Sequence, residues 1–428
     1  MSRPWPLRAL FAADAVSIAG TSMTFLALPW FVLVTTGSAT QTGIVTACET
    51  VPLVLAAAAG GPLIDRLGAR RAAVFSDLAS AVGVALIPLV HQTVGLDFWQ
   101  LCVLVALVGL ARAPGDTARR CLLPGLVEMA GTPIERATSA YDGVSRGARM
   151  VGAPTAGALI AILGPANVLL VDALSFLVAA ALVACSIPRT ATPPVSSDLG
   201  YVLQLREGWR GLRADRLMTA MTAMVCLTNL LDAAFATVLL PVYARTVLHS
   251  VVALGTLFGV FGLGALLGTV VYGVVGPSLP RWPLFTAAFL LMGLPRFGLL
   301  AAGASYGVLL VAQLLLGVAC GCLNPILSAV GLERVRPELR SRVFSVSDAG
   351  ALAGAPLGAI AAGVSVSQLG LTPTLLGAGA LYLFATLSPL LWAPLWRQLD
   401  ATRPTRPLQP APVSTDARGE SAMSPKGA

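Results

Sequence analysis

Charge is scarce in this chain. Only 11% of its 428 residues are Asp, Glu, Lys or Arg, against roughly 25% in soluble domains. So little charge excludes a water-soluble fold of this length. Lysine is nearly missing, with Lys426 alone beside 27 arginines. Histidine is confined to His91 and His249, which leaves no His-rich metal site. His-Glu-x-x-His and the Walker A pattern are absent, which removes the zinc-hydrolase and directly ATP-driven designs. A hydrolase nucleophile turn is not expected either. No enzyme, cofactor or metal is therefore expected.

What fills the chain is apolar. Hydrophobic residues make up 56% and the mean hydropathy is +0.81. Twelve apolar windows recur, starting near Leu10, Thr42, Ala72, Trp99, Thr138, Ala166, Leu217, Val252, Pro283, Ser305, Arg342 and Pro373. Each is about the 20 residues that a helix needs to cross the hydrocarbon core. The first is too long for a signal peptide and is followed by the others. The net charge of +8 is no nucleic-acid footprint, because the arginines fall in alternate connections. Arg66, Arg70 and Arg71, then Arg119, Arg120 and Arg136, then Arg206, Arg210, Arg213 and Arg216 lie on one side, while the other side holds Arg245. This positive-inside bias predicts a multi-pass protein of the cell inner (cytoplasmic) membrane with both termini cytoplasmic. The seven cysteines lie in or beside spans and read as packing residues.

Four segments are expected: a six-helix bundle over 1–187, a cytoplasmic linker over 188–216, a second bundle over 217–396, and a disordered tail over 397–428. Within the linker, Val202, Leu205, Trp209 and Leu212 recur at spacings of three and four, which predicts an amphipathic helix on the membrane face. The halves repeat. Leu28-Pro29 recurs as Leu240-Pro241, Gly61-Pro62 as Gly276-Pro277, and Gly152-Ala-Pro154 as Gly354-Ala-Pro356, each in the matching span. Such duplication places a substrate cavity between the halves. The predicted fold class is an all-α integral membrane protein of twelve helices in two pseudo-symmetric bundles.

Three motifs carry a family resemblance. Gly61-Pro-Leu-Ile-Asp65-Arg66-Leu-Gly68-Ala-Arg70-Arg71 resembles the loop between helices 2 and 3 of the major facilitator superfamily, with Ala69 at a usually basic position. Leu107 to Arg112 is similar to the span-4 motif of that superfamily. Ala153-Pro154-Thr-Ala-Gly157-Ala158 resembles its span-5 antiporter motif, with Ala replacing Gly at two positions. Leu205-Arg-Glu-Gly-Trp209, Leu240-Pro-Val-Tyr243 and Arg342-Val-Phe-Ser are similar to the branch of macrolide and siderophore exporters. The resemblance implies a gating role for Gly61, Asp65, Arg66, Gly68 and Arg70, and helix packing for Gly152, Pro154 and Gly157.

Charges inside spans cost roughly 2.5–3.5 kcal/mol each at helix centre, so they are candidates for function. Glu49, Asp232 and Arg112 are the candidates for proton coupling or for binding a charged substrate group. Arg112 has Asp116 and Asp65 as possible partners. Asp14, Asp142, Arg146 and Asp348 lie near the cytoplasmic ends and are candidates for gate pairing. Asp77 and Asp172 read as helix-packing residues. Arg296 has no acid near it in sequence and must meet one from another helix or face the cavity. The expected activity is secondary transport, by proton antiport and alternating access, exporting a hydrophobic or amphipathic small molecule such as an antibiotic, drug or siderophore. A nutrient importer and a non-transporting sensor are the alternatives. The expected partners are that molecule, protons and the lipid bilayer, with no nucleic acid, and the protein is expected to be a monomer.

Overall fold

The structure, a computed structural model, describes residues 4–188, 201–336 and 339–401. Among the described residues there is no strand. Six helices run in order, α1 (Trp5–Thr36), α2 (Ala39–Leu67), α3 (Ala69–Thr93), α4 (Phe98–Ala130), α5 (Ile134–Leu163) and α6 (Pro165–Ser186). A shorter α7 (Tyr201–Ala214) follows. Then come α8 (Arg216–Leu248), α9 (Val251–Val275), α10 (Arg281–Ala301) and α11 (Tyr306–Arg334). The last are α12 (Arg340–Ala353), α13 (Ala355–Leu369) and α14 (Leu371–Thr386).

Ten membrane-capable spans stand out among the described residues by length and apolarity. They are α1, α3, α4, α6, α8, α9, α10, α11, the stretch Ala349–Leu369 across α12 and α13, and Leu371–Leu391. The 29-residue α2 and the 30-residue α5 are as long as these. A helix of 30 residues extends about 45 Å, beyond the ~30 Å hydrocarbon core. Composition sets α5 apart, since it carries Glu135, Arg136, Asp142, Arg146 and Arg149.

Connections are tight because glycine makes them so. Gly68 is the whole link between α2 and α3. Its φ of 78° lies in the left-handed region that L side chains avoid. Its N–H donates to the Ile64 carbonyl at 2.8 Å, and its own carbonyl accepts from the Ala72 N–H at 3.0 Å. Elsewhere proline bends the spans. Wide π turns at Phe235–Leu239 and Ala244–Leu248 flank the segment holding Pro241, where the missing N–H breaks the α-helical ladder. The α12–α13 break at Gly354 precedes Pro356 for the same reason.

Helices α1 to α6 pack mainly on one another, with α1 against α5 and α6, α2 against α4, and α3 against α4 and α6. The later helices do likewise, with α9 against α11, α10 against α11 and α14, and α8 against α13. Two seams join these groups. Along one, α2 meets α13, where Thr40 Oγ1 donates to the Gly363 carbonyl at 3.2 Å and to Ser367 Oγ at 2.9 Å. Along the other, α5 meets α9, where a Cβ built on Gly157 would lie 3.0 Å from the Gly255 Cα. Small residues allow this approach. Arg245 also donates to the Leu33 carbonyl. These contacts cluster where α1 ends and α2 begins, which we call the closed end.

The segment expected to be disordered from Arg397 is helical in its first residues. The chain stays helical through Gln398–Ala401, with Trp396 and Leu399 buried. Asp400 Oδ1 accepts from the backbone N–H groups of Arg281 at 2.5 Å and Trp282 at 3.2 Å, supplying the cap that α10 lacks. Residues from 402 onward, and 189–200 in the linker, lie outside the described residues.

Asp215 ties the start of α8 to the end of α11. It caps the Leu217 and Met218 N–H groups at 2.9 and 3.2 Å and receives Arg334 Nε at 2.5 Å. Burial alone raises its pKa, but the Arg334 bond, the two capped amides and the Arg334 charge outweigh it and hold the carboxyl below its ordinary value. A depressed carboxylate stabilises the fold above its unfolded value of about 4 and loses that contribution as pH falls through the folded value. Asp215→Asn is therefore expected to lower the melting temperature of the purified protein at pH 7. The gap between variant and native protein should close below about pH 4.

Candidate functional site

Among the described residues, charged side chains away from the helix ends meet across helix boundaries in three places. The first joins α2 to α4. Arg112 Nη1 donates to Glu49 Oε1 at 3.1 Å. Gly109 sets this contact, because a Cβ there would run into the Glu49 carbonyl. One turn separates Gly109 from Arg112, so the close approach at the glycine brings the guanidinium level with the acid. Both residues were separate candidates from sequence. The structure makes them one ion pair, and Asp116 pairs elsewhere.

The second lies in α8 and α10, where Arg296 donates to Asp232. The guanidinium carbon sits 3.7 Å from the Phe235 ring centroid and 5.8 Å from that of Phe261, a cation–π placement that offsets desolvation. Asp232 is the missing acid that Arg296 required. It stands one turn before the first π turn, in the part of α8 where the backbone is least regular.

The third is the densest. Arg119 of α4 is fully buried. Its Nη1 donates to Asp77 of α3 at 2.7 and 3.0 Å, and its Nη2 donates to Asp116 at 2.5 Å and to Ser17 of α1 at 3.2 Å. Its Nε lies 3.4 Å from Asp14. Asp14 in turn accepts from Tyr141 Oη at 2.7 Å and Ser145 Oγ at 2.6 Å, both on α5. One cation thus binds α1, α3 and α4, and Asp14 extends the network to α5. Sequence reading placed Arg119 among the connecting arginines, and α4 instead runs on to Ala130. The available signal was spacing, since Arg112, Asp116 and Arg119 share one helix face.

A cavity of about 680 Å³ opens between α8, α11 and α12, away from the closed end. Its wall combines Met218, Met221, Val225, Leu327 and Phe344 with Thr222, Asn229, Asn324, Ser328 and Ser347. That volume is in the range of small-molecule sites, and so is the mix of apolar surface with a few polar groups. Asn229 Nδ2 donates to the Ala351 carbonyl at 3.0 Å, which fixes its amide at the cavity edge.

Residues 10–249 and 222–424 each match the Major Facilitator Superfamily. The chain belongs to the major facilitator superfamily. It is 30% identical over 400 residues to the protein named multidrug efflux pump Tap of Mycobacterium tuberculosis, covering 92% of this chain and 95% of that protein. It is 23% identical over 403 residues to macrolide efflux protein A of Streptococcus pyogenes, covering 90% and 96%. Among solved structures it resembles a point-mutant form of the nucleoside transporter NupG, with a TM-score of 0.74 at 14% identity over 93% of this chain and 99% of that one. That last likeness shows the fold.

As a facilitator-family protein it is a multi-pass membrane protein, and its motifs have these positions. Gly68 turns between α2 and α3, Arg70 donates to the Ala184 carbonyl at the end of α6, and Arg66 is exposed. Gly61 and the Asp65 and Asp348 side chains lie outside the description. Gly152 packs on Ser22 and Ala19 of α1, Pro154 on Gly259 of α9, and Gly157 on Gly255, so this motif wedges α5 between α1 and α9. Asp142 and Arg146 are exposed and do not pair with one another. The spacing Gly-x-Ser-x-Gly occurs at Gly143–Gly147 and Gly303–Gly307, contrary to the expectation that the chain lacks it. Neither instance follows a strand. Ser145 is inside α5 and bonded to Asp14, and Ser305 precedes α11.

Two stability outcomes follow from these pairs. Arg119→Gln strands Asp77 and Asp14 and is expected to cost about 3–5 kcal/mol, whereas Asp116→Asn removes a half-exposed partner and should cost under about 1 kcal/mol. Gly109→Ala is expected to cost about 1–3 kcal/mol by overpacking the α2–α4 contact. Melting of the detergent-solubilised proteins reads all three, and equal loss in the Arg119 and Asp116 variants would contradict the first.

Proposed function

We propose that this protein is a proton-coupled exporter of hydrophobic or amphipathic small molecules. Two six-helix bundles, 1–187 and 217–396, would rock about a shared cavity, giving twelve spans with both termini in the cytoplasm. The observation that carries this reading is the near full-length match, 30% identical over 400 residues, to a protein named as a multidrug efflux pump. A match covering both halves and the connection between them is what a conserved transport cycle requires.

The geometry supports it in physical terms. Contacts between the helix groups at the closed end seal one side, while the cavity, lined by α8, α11 and α12 of the second group, lies toward the other. Methionine at two wall positions adapts to varied apolar shapes, and the amides and hydroxyls supply hydrogen bonds without fixing one ligand. The Glu49–Arg112 and Asp232–Arg296 pairs are the coupling elements, because an acid that holds an arginine in one state can release it in another. One elementary charge crossing 100 mV is worth about 2.3 kcal/mol, a bias of several tens-fold on substrate movement.

The test is uptake of a labelled macrolide into everted membrane vesicles. Acidifying the lumen should drive uptake, and collapsing the pH gradient should abolish it. Glu49→Gln and Asp232→Asn should each reduce driven uptake about tenfold or more, since stranding a buried arginine exceeds the 1.4 kcal/mol that makes a factor of ten. Uptake indifferent to the gradient would overturn the coupling, and net movement out of everted vesicles would reverse the direction.

A further inference from the structure

Glu49, Asp77 and Asp232 each hold an arginine. Asp172 does not. It lies in α6, 1% exposed, and accepts from Thr24 Oγ1 of α1 at 2.5 Å and from Ser175 Oγ at 3.0 Å. Among the described residues no cationic nitrogen comes within the 4.0 Å of an ion pair. The pocket is built for it, because Gly20 on the facing turn of α1 would drive a Cβ into both Asp172 and Ser175.

Of the charges inside the other helices, Arg112 and Glu49 are paired with one another. Helices α1, α3 and α5 pack on α6, and their own charges are engaged or turned away. Asp14 and Asp77 are bound to Arg119, Arg70 is bound to the Ala184 carbonyl, and His91 packs on Phe31. Arg8, Arg71, Asp142, Arg146 and Arg149 are exposed.

We propose that Asp172 is the carboxyl that loads and releases the transported proton. This rests on the antiport reading above and names its proton site. A buried carboxyl with hydroxyl partners alone takes up a proton without breaking an ion pair, which neither Glu49 nor Asp232 can do. The step is one O–H bond. Asp172 gives its proton to water admitted from one side and becomes a carboxylate. That carboxylate, held by the Thr24 and Ser175 hydroxyls alone, is costly in an apolar interior, so the charged form favours the arrangement in which water reaches it and the α1–α6 contact gives way. A proton taken from water on the other side restores the neutral, hydroxyl-bonded carboxyl.

Asp172→Asn separates this role from a packing role, because an amide keeps the shape and hydrogen bonding of the protonated acid. In proteoliposomes with a labelled macrolide, the variant is expected to retain counterflow at equal pH and to lose uptake driven by a pH gradient. Its flux should no longer change with pH, and Asp172→Glu should recover part of the drive. Full gradient-driven uptake by Asp172→Asn overturns the proposal, as does loss of counterflow together with driven uptake. Native protein showing counterflow but no gradient-driven flux would instead overturn the antiport reading. Should the variant not fold, carbodiimide labelling of native protein decides, because it attacks protonated carboxyls in apolar surroundings. Label on Asp172 that declines as pH rises supports the assignment, and label absent from Asp172 at every pH overturns it.

Discussion

An arginine placed inside a membrane-spanning helix is costly unless it meets a carboxylate or a carbonyl or faces a water-filled cavity. Three arginines here solve that problem in three ways. Arg112 meets Glu49 across a glycine contact. Arg296 meets Asp232 and stacks on Phe235. Arg119 binds acids from three helices. In each case the pair fixes which helix faces which, so the charges order the bundle at positions where apolar packing alone is permissive. Under the proposed antiport, the Glu49–Arg112 and Asp232–Arg296 pairs would also serve the transport cycle, so that structural and mechanistic uses fall on one set of residues.

The glycines make the pairs possible. Gly109 allows α4 to touch the backbone of α2, and Gly20 opens the space for Asp172 against α1. At the seams between the helix groups, Gly43, Gly157, Gly255 and Gly363 do the same work without charge. Such contacts are dispersion and weak polar contacts between small residues. They hold well when closed and part without stranding a buried charge. The ion pairs, by contrast, lie within one helix group each, so the groups are able to move as units.

The architecture was legible because its signals are long-range and redundant. Apolar windows, alternate arginine-rich connections and paired proline landmarks all point to one all-helical membrane fold, and the facilitator motifs sit on the elements expected of them. Individual partners were legible only in part. Glu49, Arg112, Asp232 and Arg296 stood out as costly charges, yet nothing in a linear pattern says that Glu49 lies opposite Arg112, since pairing depends on where two helices cross. Arg119 reads as part of a connection because α4 extends further than its apolar window. Asp172 reads as a packing residue, and no linear pattern shows that its hydroxyl partner Thr24 comes from another helix. The first turn of the tail was misjudged because Asp400 caps a helix more than a hundred residues earlier in the chain.

The central claim is that the helix groups must separate at the closed end for each transport cycle. A disulfide across the α2–α13 seam tests it most directly. Thr40 and Ser367 already touch through their side-chain oxygens at 2.9 Å, so Thr40→Cys with Ser367→Cys, in a background without the seven native cysteines, places two thiols in reach of one another. The account expects oxidation to stop macrolide flux and reduction to restore it. Undiminished flux through the fully cross-linked protein would contradict it.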